Sequence, residues 1–277
     1  MTSRAATEYR YEKLTWPEIN DAVDMEQGTS EHKSRRGIYL LPNMFTTAGL
    51  FAGFYAIVAA MGGRFEAAAI AIFVAMIMDG IDGRIARLTR TQSAFGEQYD
   101  SLSDMVSFGL APALVMYEWS LHAMLSIGWA RLGWLAAFIY TAGAALRLAR
   151  FNAQLATAEK RWFKGLPSPS AAAVVAGMVW VGADLGIAGR DLVYPAFVLT
   201  ILTGGLMVSN TSYYSFKEID FKNRVPFVTL LVVVLIYVFA SIDPPKVLFF
   251  GFLIYALSGP VMTLLRLRKR RARNPGE

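Results

Sequence analysis

Long apolar stretches, separated by short polar breaks or by glycine and proline, fill the chain from residue 39 to residue 266. A helix that crosses a bilayer needs about 20 mainly apolar residues, and several of these stretches reach that length. Because the stretches are continuous and do not alternate with period two, they favour helices over barrel strands. The pattern predicts an all-α, polytopic transmembrane helical bundle of about eight spans, at residues 39–61, 65–86, 97–119, 128–152, 169–187, 191–209, 225–242 and 245–266.

Polar segments flank this bundle. Residues 1–37 have mixed charge and lack the apolar core of a signal peptide, so they predict a cytosolic N-terminal arm, with a short surface helix around residues 16–25. Residues 38–266 form the predicted transmembrane catalytic domain, and residues 267–277 form a basic cytosolic tail.

The distribution of lysine and arginine predicts the orientation. With eight spans, 23 of the 27 basic residues fall on one side, and the other four, Arg64, Arg131, Arg190 and Lys246, fall on the opposite side. Basic residues are enriched in cytoplasmic loops, so both termini are predicted to be cytoplasmic. Topology thus accounts for the net charge of +6, and no nucleic-acid partner is predicted.

Composition narrows the chemistry. With 55% hydrophobic and 17% charged residues, the chain is too apolar for an ordinary soluble domain. The absence of cysteine excludes disulfides and thiolate metal sites. The two histidines, His32 and His122, lie far in sequence from the acidic cluster described next and are interpreted as surface residues.

Four aspartates gather at the cytoplasmic ends of the second and third predicted spans. Asp79 and Asp82 are three residues apart, and Asp100 and Asp104 are four apart, so each pair shares one helix face. Acidic residues in spans are costly and indicate function. Four crowded carboxylates would repel one another, whereas hard divalent cations such as Mg²⁺ or Mn²⁺ remove that conflict. The cluster therefore predicts a site for two divalent cations that bind the phosphates of a substrate.

The residues around the aspartates suit a phosphorylated substrate. Gly80, Gly83 and Gly96 lack side chains and would let a diphosphate approach the backbone, while Arg87 supplies a forked cationic donor. A calcium loop is excluded because Ile81 stands where such a loop has an oxygen ligand. A purely structural salt-bridge network with the nearby arginines is the alternative, but four aspartates exceed what it requires.

The whole string resembles the signature of the CDP-alcohol phosphotransferase family. The match has eight fixed positions within 26 residues: Asp79, Asp82, Gly83, Ala86, Arg87, Gly96, Asp100 and Asp104. The resemblance implies that Asp79 and Asp100 bridge both ions, that Asp82 and Asp104 each bind one, and that Asp104 is also the general base. It further implies a CDP-diacylglycerol site formed by Gly83, Ala86, Arg87, Gly96 and Ser93, with Asn43 and Thr46 as secondary candidates.

The acceptor is predicted from the end of the fourth span. The segment Arg147-Leu-Ala-Arg150-Phe-Asn152 and the following Phe163-Lys-Gly-Leu-Pro-Ser-Pro169 resemble the bacterial, non-phospholipase-D type of phosphatidylserine synthases. The resemblance implies L-serine as acceptor, with Arg147, Arg150 and Asn152 as acceptor-binding residues. A buried arginine would bind the carboxylate of serine, which choline lacks. Both arginines could instead be positive-inside anchors. Arg147 lies one turn deeper in the span than Arg150, so it is the better candidate for binding the acceptor.

Several alternatives remain open. Glycerol 3-phosphate, inositol phosphate and choline are rival acceptors within the same reaction class. A membrane prenyltransferase would also use aspartate-rich helices, but it gives the Gly83, Ala86 and Arg87 positions no role. An ion transporter would place its acidic site nearer the midplane.

The family resemblance also implies a homodimer in membrane lipid, in a bacterial inner membrane, with the active site facing the cytoplasm.

Overall fold

The apolar stretches fold into helices. The structure, a computed structural model, describes residues 42–89, 91, 93–126, 128–154, 162–214, 238–239 and 241–273. The helices are α1 (Pro42–Met61), α2 (Phe65–Leu88), α3 (Ala94–Asp104), a π-helix (Met105–Leu110), α4 (Ala111–Trp119), α5 (Ala130–Gln154), α6 (Ser168–Asp184), α7 (Val193–Val208) and α8 (Pro244–Arg273), with short 3-10 turns at Leu121–Leu125 and Gly189–Leu192.

Four helices in the described part of the chain are long and apolar enough to cross a membrane. They are Pro42–Met61, Arg131–Ala153, Gly189–Val208 and Pro244–Leu265. α2 is equally long but carries several charges, and α6 has only 17 residues. These findings confirm a helical integral membrane protein, while the count of eight spans and the orientation stay predictions. The predicted arm, its surface helix and nearly all of the span at 225–242 lie outside the described residues.

The last helix is longer than the sequence pattern predicts. α8 continues to Arg273, whereas the predicted span ends at residue 266. The final turns of this helix therefore include most of the residues of the predicted basic tail. The predicted border between bundle and tail therefore falls inside one continuous helix.

α6 forms the centre of the bundle. It contacts α2, α4, α7 and α8, and its small residues, from Ala171 to Ala176, are fully buried. Alanine and glycine let helix backbones approach closely, which is how membrane helices gain packing energy. By contrast α8 presents an exposed apolar face that includes Phe250, Ile254 and Leu257. The core therefore lies around α6, directly behind the ends of α2 and α5.

The third predicted span contains both α-helical and π-helical turns. α3 ends at Asp104 and continues without a break into the π-helix and α4. Pro112 has no N–H to offer the carbonyl four residues earlier, that of Phe108. The buried Tyr140 hydroxyl of α5 donates to that carbonyl at 3.0 Å instead. The distortion starts immediately after Asp104, and π-helical turns commonly occur at functional sites.

Two three-residue strands modify the all-α prediction. β1 (Trp162–Lys164) pairs antiparallel with β2 (Ser212–Tyr214), with Phe163 opposite Tyr213. Gly165 follows with φ +85°, and its N–H donates to the Thr211 carbonyl at 2.8 Å. The β1–β2 pair and the Gly165 hydrogen bond hold the start of α6 beside the end of α7. Strands of this length leave no readable alternation in the sequence.

Candidate active site

Five segments of the chain meet around one cavity of about 530 Å³. The beginning of α1, the second half of α2, most of α3, the end of α5 and the beginning of α6 each contribute side chains. Thirteen of the fourteen residues predicted from the sequence line it: Asn43, Thr46, Asp79, Asp82, Gly83, Ala86, Arg87, Ser93, Gly96, Asp100, Asp104, Arg147 and Asn152. Residues as far apart in sequence as Asn43 and Asn152 therefore face one space.

Three of the aspartates form a tight triad. One carboxylate oxygen from each of Asp79, Asp82 and Asp100 lies within 4.8 Å of the other two. The helical spacing on α2 turns two of them to one face, and α3 brings the third from the neighbouring helix. Asp82 is buried, and Asp79 and Asp100 are half-buried. Such a group is unstable as bare anions and is suited to a cation.

Asp104 stands beside this triad and is not part of it. It lies one turn beyond Asp100 on α3, close enough to Asp79 for a side-chain hydrogen bond. It also lines the cavity and lies within electrostatic range of Arg147. Asp104 is thus placed between the carboxylate triad and the cationic side of the cavity.

The donor set fits divalent cations. The triad offers only oxygen ligands, which is the preference of Mg²⁺ and Mn²⁺. Beside it, a Cβ built on Gly80 or Gly83 would meet nothing within 4 Å, so internal packing does not require a glycine at either position. The space next to the carboxylates is therefore left open for a ligand.

Arg87, Ser93 and Asn43 surround the open end of the cavity. Arg87 Nε donates to the Gly83 carbonyl at 2.8 Å, which orients the guanidinium at the rim. Ser93 is the N-cap of α3, and its Oγ accepts the Gly96 N–H at 3.0 Å. Its hydroxyl hydrogen stays available for a ligand. A Cβ on Gly96 would approach Ser93 Oγ to 3.2 Å, so this glycine keeps the cap compact.

Thr46 faces the aspartates as well as the cavity. Its Oγ1 donates to Asp82 Oδ2 at 2.7 Å, and its side chain is buried. The family resemblance implies that Thr46 helps to hold the nucleotide. In the structure the hydroxyl is engaged by a carboxylate.

The opposite side of the cavity is cationic and lies on α5 and α6. Arg147 Nη1 donates to Ser168 Oγ at 2.9 Å. Its Nε is buried and finds no hydrogen-bond partner among the residues that the structure describes. A buried donor without a partner is rare in proteins, so this nitrogen is a candidate contact for a bound ligand. Next to it, Asn152 Nδ2 donates to Ser101 Oγ at 3.0 Å, which ties α5 to the acidic helix α3.

Arg150 is the predicted site residue that does not line the cavity. Its Nη2 donates to Asn210 Oδ1 at 2.7 Å and its Nη1 to the Val208 carbonyl at 3.5 Å, both at the end of α7. The one-turn spacing that makes Arg147 and Arg150 look equivalent in sequence carries the second arginine past the cavity. Arg150 therefore binds a neighbouring helix end in this structure.

Several lining residues were not predicted. Ser168 accepts a hydrogen bond from Arg147, and Ser101 accepts one from Asn152. The cavity is also lined by Leu148, Phe151, Thr91 and Glu97. A signal existed for Ser101, which lies between two predicted aspartates, and for Ser168, which stands in the quoted Leu-Pro-Ser-Pro segment. Leu148 and Phe151 stand in the acceptor segment at the end of the fourth predicted span, whereas Thr91 carries no signal of its own.

Comparison with known proteins agrees with this geometry. The sequence model of the family described as CDP-alcohol phosphatidyltransferase matches residues 39–209. A Helicobacter pylori protein named CDP-diacylglycerol–serine O-phosphatidyltransferase is 34% identical over 203 residues, which cover 73% of this chain and 83% of that protein. Proteins of the same name from Mycobacterium leprae and Saccharomyces cerevisiae are 39% identical over 165 residues and 33% identical over 178. These matches cover 57% and 58% of this chain, and 53% and 61% of the two relatives.

Proposed function

This chain belongs to the CDP-alcohol phosphatidyltransferase family, and we propose that it transfers the phosphatidyl group of CDP-diacylglycerol to the hydroxyl of L-serine. The products are phosphatidylserine and CMP. The relatives carry this activity in their names. The match covers most of the Helicobacter pylori protein and about half of the Mycobacterium leprae protein. The single observation that supports the proposal most is the shared cavity, which joins a carboxylate triad to the half-buried Arg147, whose Nε has no partner among the described residues.

The cavity has a suitable place for each part of the two substrates. The diphosphate of CDP-diacylglycerol lies at the carboxylates, with Gly83, Ala86 and Arg87 of α2 and Asn43, Ser93 and Gly96 around the CMP moiety. Serine lies on the α5 side, where its carboxylate binds Arg147 beside Asn152. Arginine pairs well with a carboxylate because its fork offers two parallel donors.

Two divalent cations, Mg²⁺ or Mn²⁺, complete the site. Asp79 and Asp100 would hold both ions, Asp82 would hold one of them and Asp104 would hold the other. When bound, such ions neutralise the carboxylates and polarise the phosphate oxygens of the substrate.

Asp104 is placed for proton transfer. It lies between the triad and Arg147, so it is the carboxylate that a hydroxyl held by Arg147 would meet. In the proposed reaction Asp104 accepts the serine hydroxyl proton, and the serine oxygen forms a bond to the β-phosphorus. The bond between that phosphorus and the oxygen bridging to CMP breaks, and CMP leaves with the electron pair.

The same proposal includes the setting of the site. Eight spans, with residues 1–37 and 267–277 in the cytosol, place the ends of α2 and α5 at the cytoplasmic face of a bacterial inner membrane. The chain works as a homodimer in this proposal. Reporters fused at Met1 and Glu277 should both give a cytoplasmic signal, and a periplasmic signal from either end would contradict the span count.

The decisive experiment measures CMP release by the purified protein from CDP-diacylglycerol with parallel acceptors. Serine, glycerol 3-phosphate, inositol phosphate and choline are supplied separately, with Mg²⁺ or Mn²⁺ present. The proposal expects CMP and a labelled lipid with serine only. Release with another acceptor would keep the reaction class and change the substrate, and no release with any acceptor would favour a prenyltransferase or a transporter.

A further inference from the structure

Thr46 makes a contact that its predicted role in CDP-diacylglycerol binding does not explain. Its side chain is 5% exposed, and Oγ1 lies 2.7 Å from Asp82 Oδ2 and 3.2 Å from the Pro42 carbonyl. A threonine hydroxyl has one hydrogen to donate. The shorter bond to a carboxylate is the stronger of the two, so the hydrogen goes to Asp82.

Asp82 needs such a donor. Its side chain is 4% exposed, the lowest exposure in the acidic cluster, and a buried carboxylate is stable only with hydrogen bonds or a cation. The Gly83 N–H lies near this carboxylate on the same helix. The Thr46 hydroxyl reaches Asp82 from another helix and donates a hydrogen bond to its Oδ2.

The backbone of Thr46 is fixed to the other acidic helix. Ser103 Oγ donates to the Thr46 carbonyl at 3.2 Å, and Ser107 Oγ donates to the Gly49 carbonyl at 3.1 Å. Ser103 lies on α3 between Asp100 and Asp104. One residue therefore connects the two halves of the acidic cluster, through its carbonyl to α3 and through its hydroxyl to α2.

We propose that Thr46 is a positioning residue, whose hydroxyl holds the Asp82 carboxylate in the orientation that binds a divalent cation. This inference rests on the metal site of the proposed function. It replaces nucleotide binding as the role of the Thr46 hydroxyl. Outer partners of metal ligands fix ligand orientation, and their removal typically weakens metal affinity about 10- to 100-fold.

The test is Mn²⁺ binding to the purified full chain in detergent, without substrate, measured from the electron paramagnetic resonance signal of free Mn²⁺. Thr46→Val keeps the shape of the side chain and removes its donor, so the Mn²⁺ Kd should rise about 10- to 100-fold. Thr46→Ser keeps the donor and should bind Mn²⁺ nearly as the unaltered chain does. A KM for CDP-diacylglycerol measured at saturating Mn²⁺ should change little in either variant.

Thr47→Val is the matched control. Thr47 is exposed on the same helix, and its hydroxyl contacts the Asn43 carbonyl at 2.7 Å and the Tyr99 hydroxyl at 2.9 Å. The variant should leave Mn²⁺ binding unchanged. Thr46→Cys is the second variant, for use if Thr46→Val does not fold. Its thiol resembles the serine side chain but is a weak hydrogen-bond donor, so Mn²⁺ affinity should also fall.

The outcomes are distinguishable. An unchanged Kd in Thr46→Val, or in Thr46→Cys, would overturn the positioning role. A raised KM for CDP-diacylglycerol with normal Mn²⁺ binding would return the hydroxyl to the nucleotide. If the unaltered chain binds no Mn²⁺, the metal site of the proposed function fails together with this inference.

Discussion

The cavity has two walls of opposite charge that are built in different ways. The acidic wall comes from residues close in sequence, three and four apart on two consecutive helices. The cationic wall comes from contacts between distant residues: Arg147 with Ser168, 21 positions away, and Asn152 with Ser101, 51 positions away. Local helix structure therefore places each aspartate pair, and packing is needed to bring the two pairs together, whereas every contact of the cationic wall depends on packing between distant residues.

The two walls also differ in what they lack. The carboxylates of the acidic wall are close enough to repel one another, so that wall needs cations to be stable. Arg147 is held by a neutral serine, and its buried Nε has no hydrogen-bond partner within the described part of the chain, so that wall is suited to an anion. The difference suggests that loss of the acidic wall stops the reaction, while loss of the cationic wall mainly weakens acceptor binding.

The largest effect is expected at the two carboxylates proposed to bind both ions. Asp79→Asn or Asp100→Asn should abolish turnover, because each change removes one negative ligand from the triad while preserving shape. CMP release from CDP-diacylglycerol measures the loss. Chelation with EDTA should give the same loss, and added Mg²⁺ or Mn²⁺ should reverse it.

A folding control is needed for this result. The variants should extract from membranes and elute in gel filtration as the unaltered chain does, since relief of carboxylate repulsion does not destabilise the bundle. Full activity in excess EDTA would refute the metal site, and with it the view that the acidic wall depends on cations.

The next effect is expected at Asp104, which separates the two walls. Asp104→Asn removes the proposed base and one charge near the triad, and general-base help is typically worth about 100- to 10,000-fold. We expect kcat to fall at least that far, with a smaller change in the KM for serine. A loss confined to the KM for serine would place Asp104 on the cationic wall as a binding group.

The acidic wall could be predicted from the sequence, and the cationic wall only in part. Asp79, Asp82, Asp100 and Asp104 follow from helical spacing, which is a local property of the chain. Ser168 and Ser101 acquire their roles from partners on other helices, which spacing does not reveal. The same limit applies to the fold, since the apolar pattern predicts helices but not the π-helix after Asp104, where the Phe108 carbonyl accepts from Tyr140 on another helix.

A smaller effect is expected at Arg147. If Arg147 holds the serine carboxylate, Arg147→Ala loses a charge-assisted hydrogen bond, which costs about 1.5–3 kcal/mol. That corresponds to a rise of roughly 10- to 150-fold in the KM for serine, with CDP-diacylglycerol binding little changed. If the variant instead impairs CDP-diacylglycerol binding and leaves the KM for serine alone, Arg147 binds the diphosphate and the serine assignment loses its physical support.

The smallest effect is expected at Arg150, and it tests whether the cationic wall ends where the structure places it. In sequence the two arginines are nearly equivalent, one turn apart at the end of the same span. In the structure Arg150 donates to Asn210 and to the Val208 carbonyl, and it does not line the cavity. Arg150→Ala should therefore change the KM for serine by no more than about twofold, because substitutions away from functional and buried features usually stay within about 0.5 kcal/mol.

Asn210→Ala provides the matched variant for that result. It removes the partner of Arg150 and leaves the arginine in place, so it should resemble Arg150→Ala in both stability and KM. Combining the two changes should add little, since they remove the same hydrogen bond. If Arg150→Ala raises the KM for serine as much as Arg147→Ala does, while Asn210→Ala has no effect, Arg150 must turn from α7 into the cavity when serine binds. The cationic wall would then contain two arginines, and its charge would balance the acidic wall more closely than the guanidinium of Arg147 does alone.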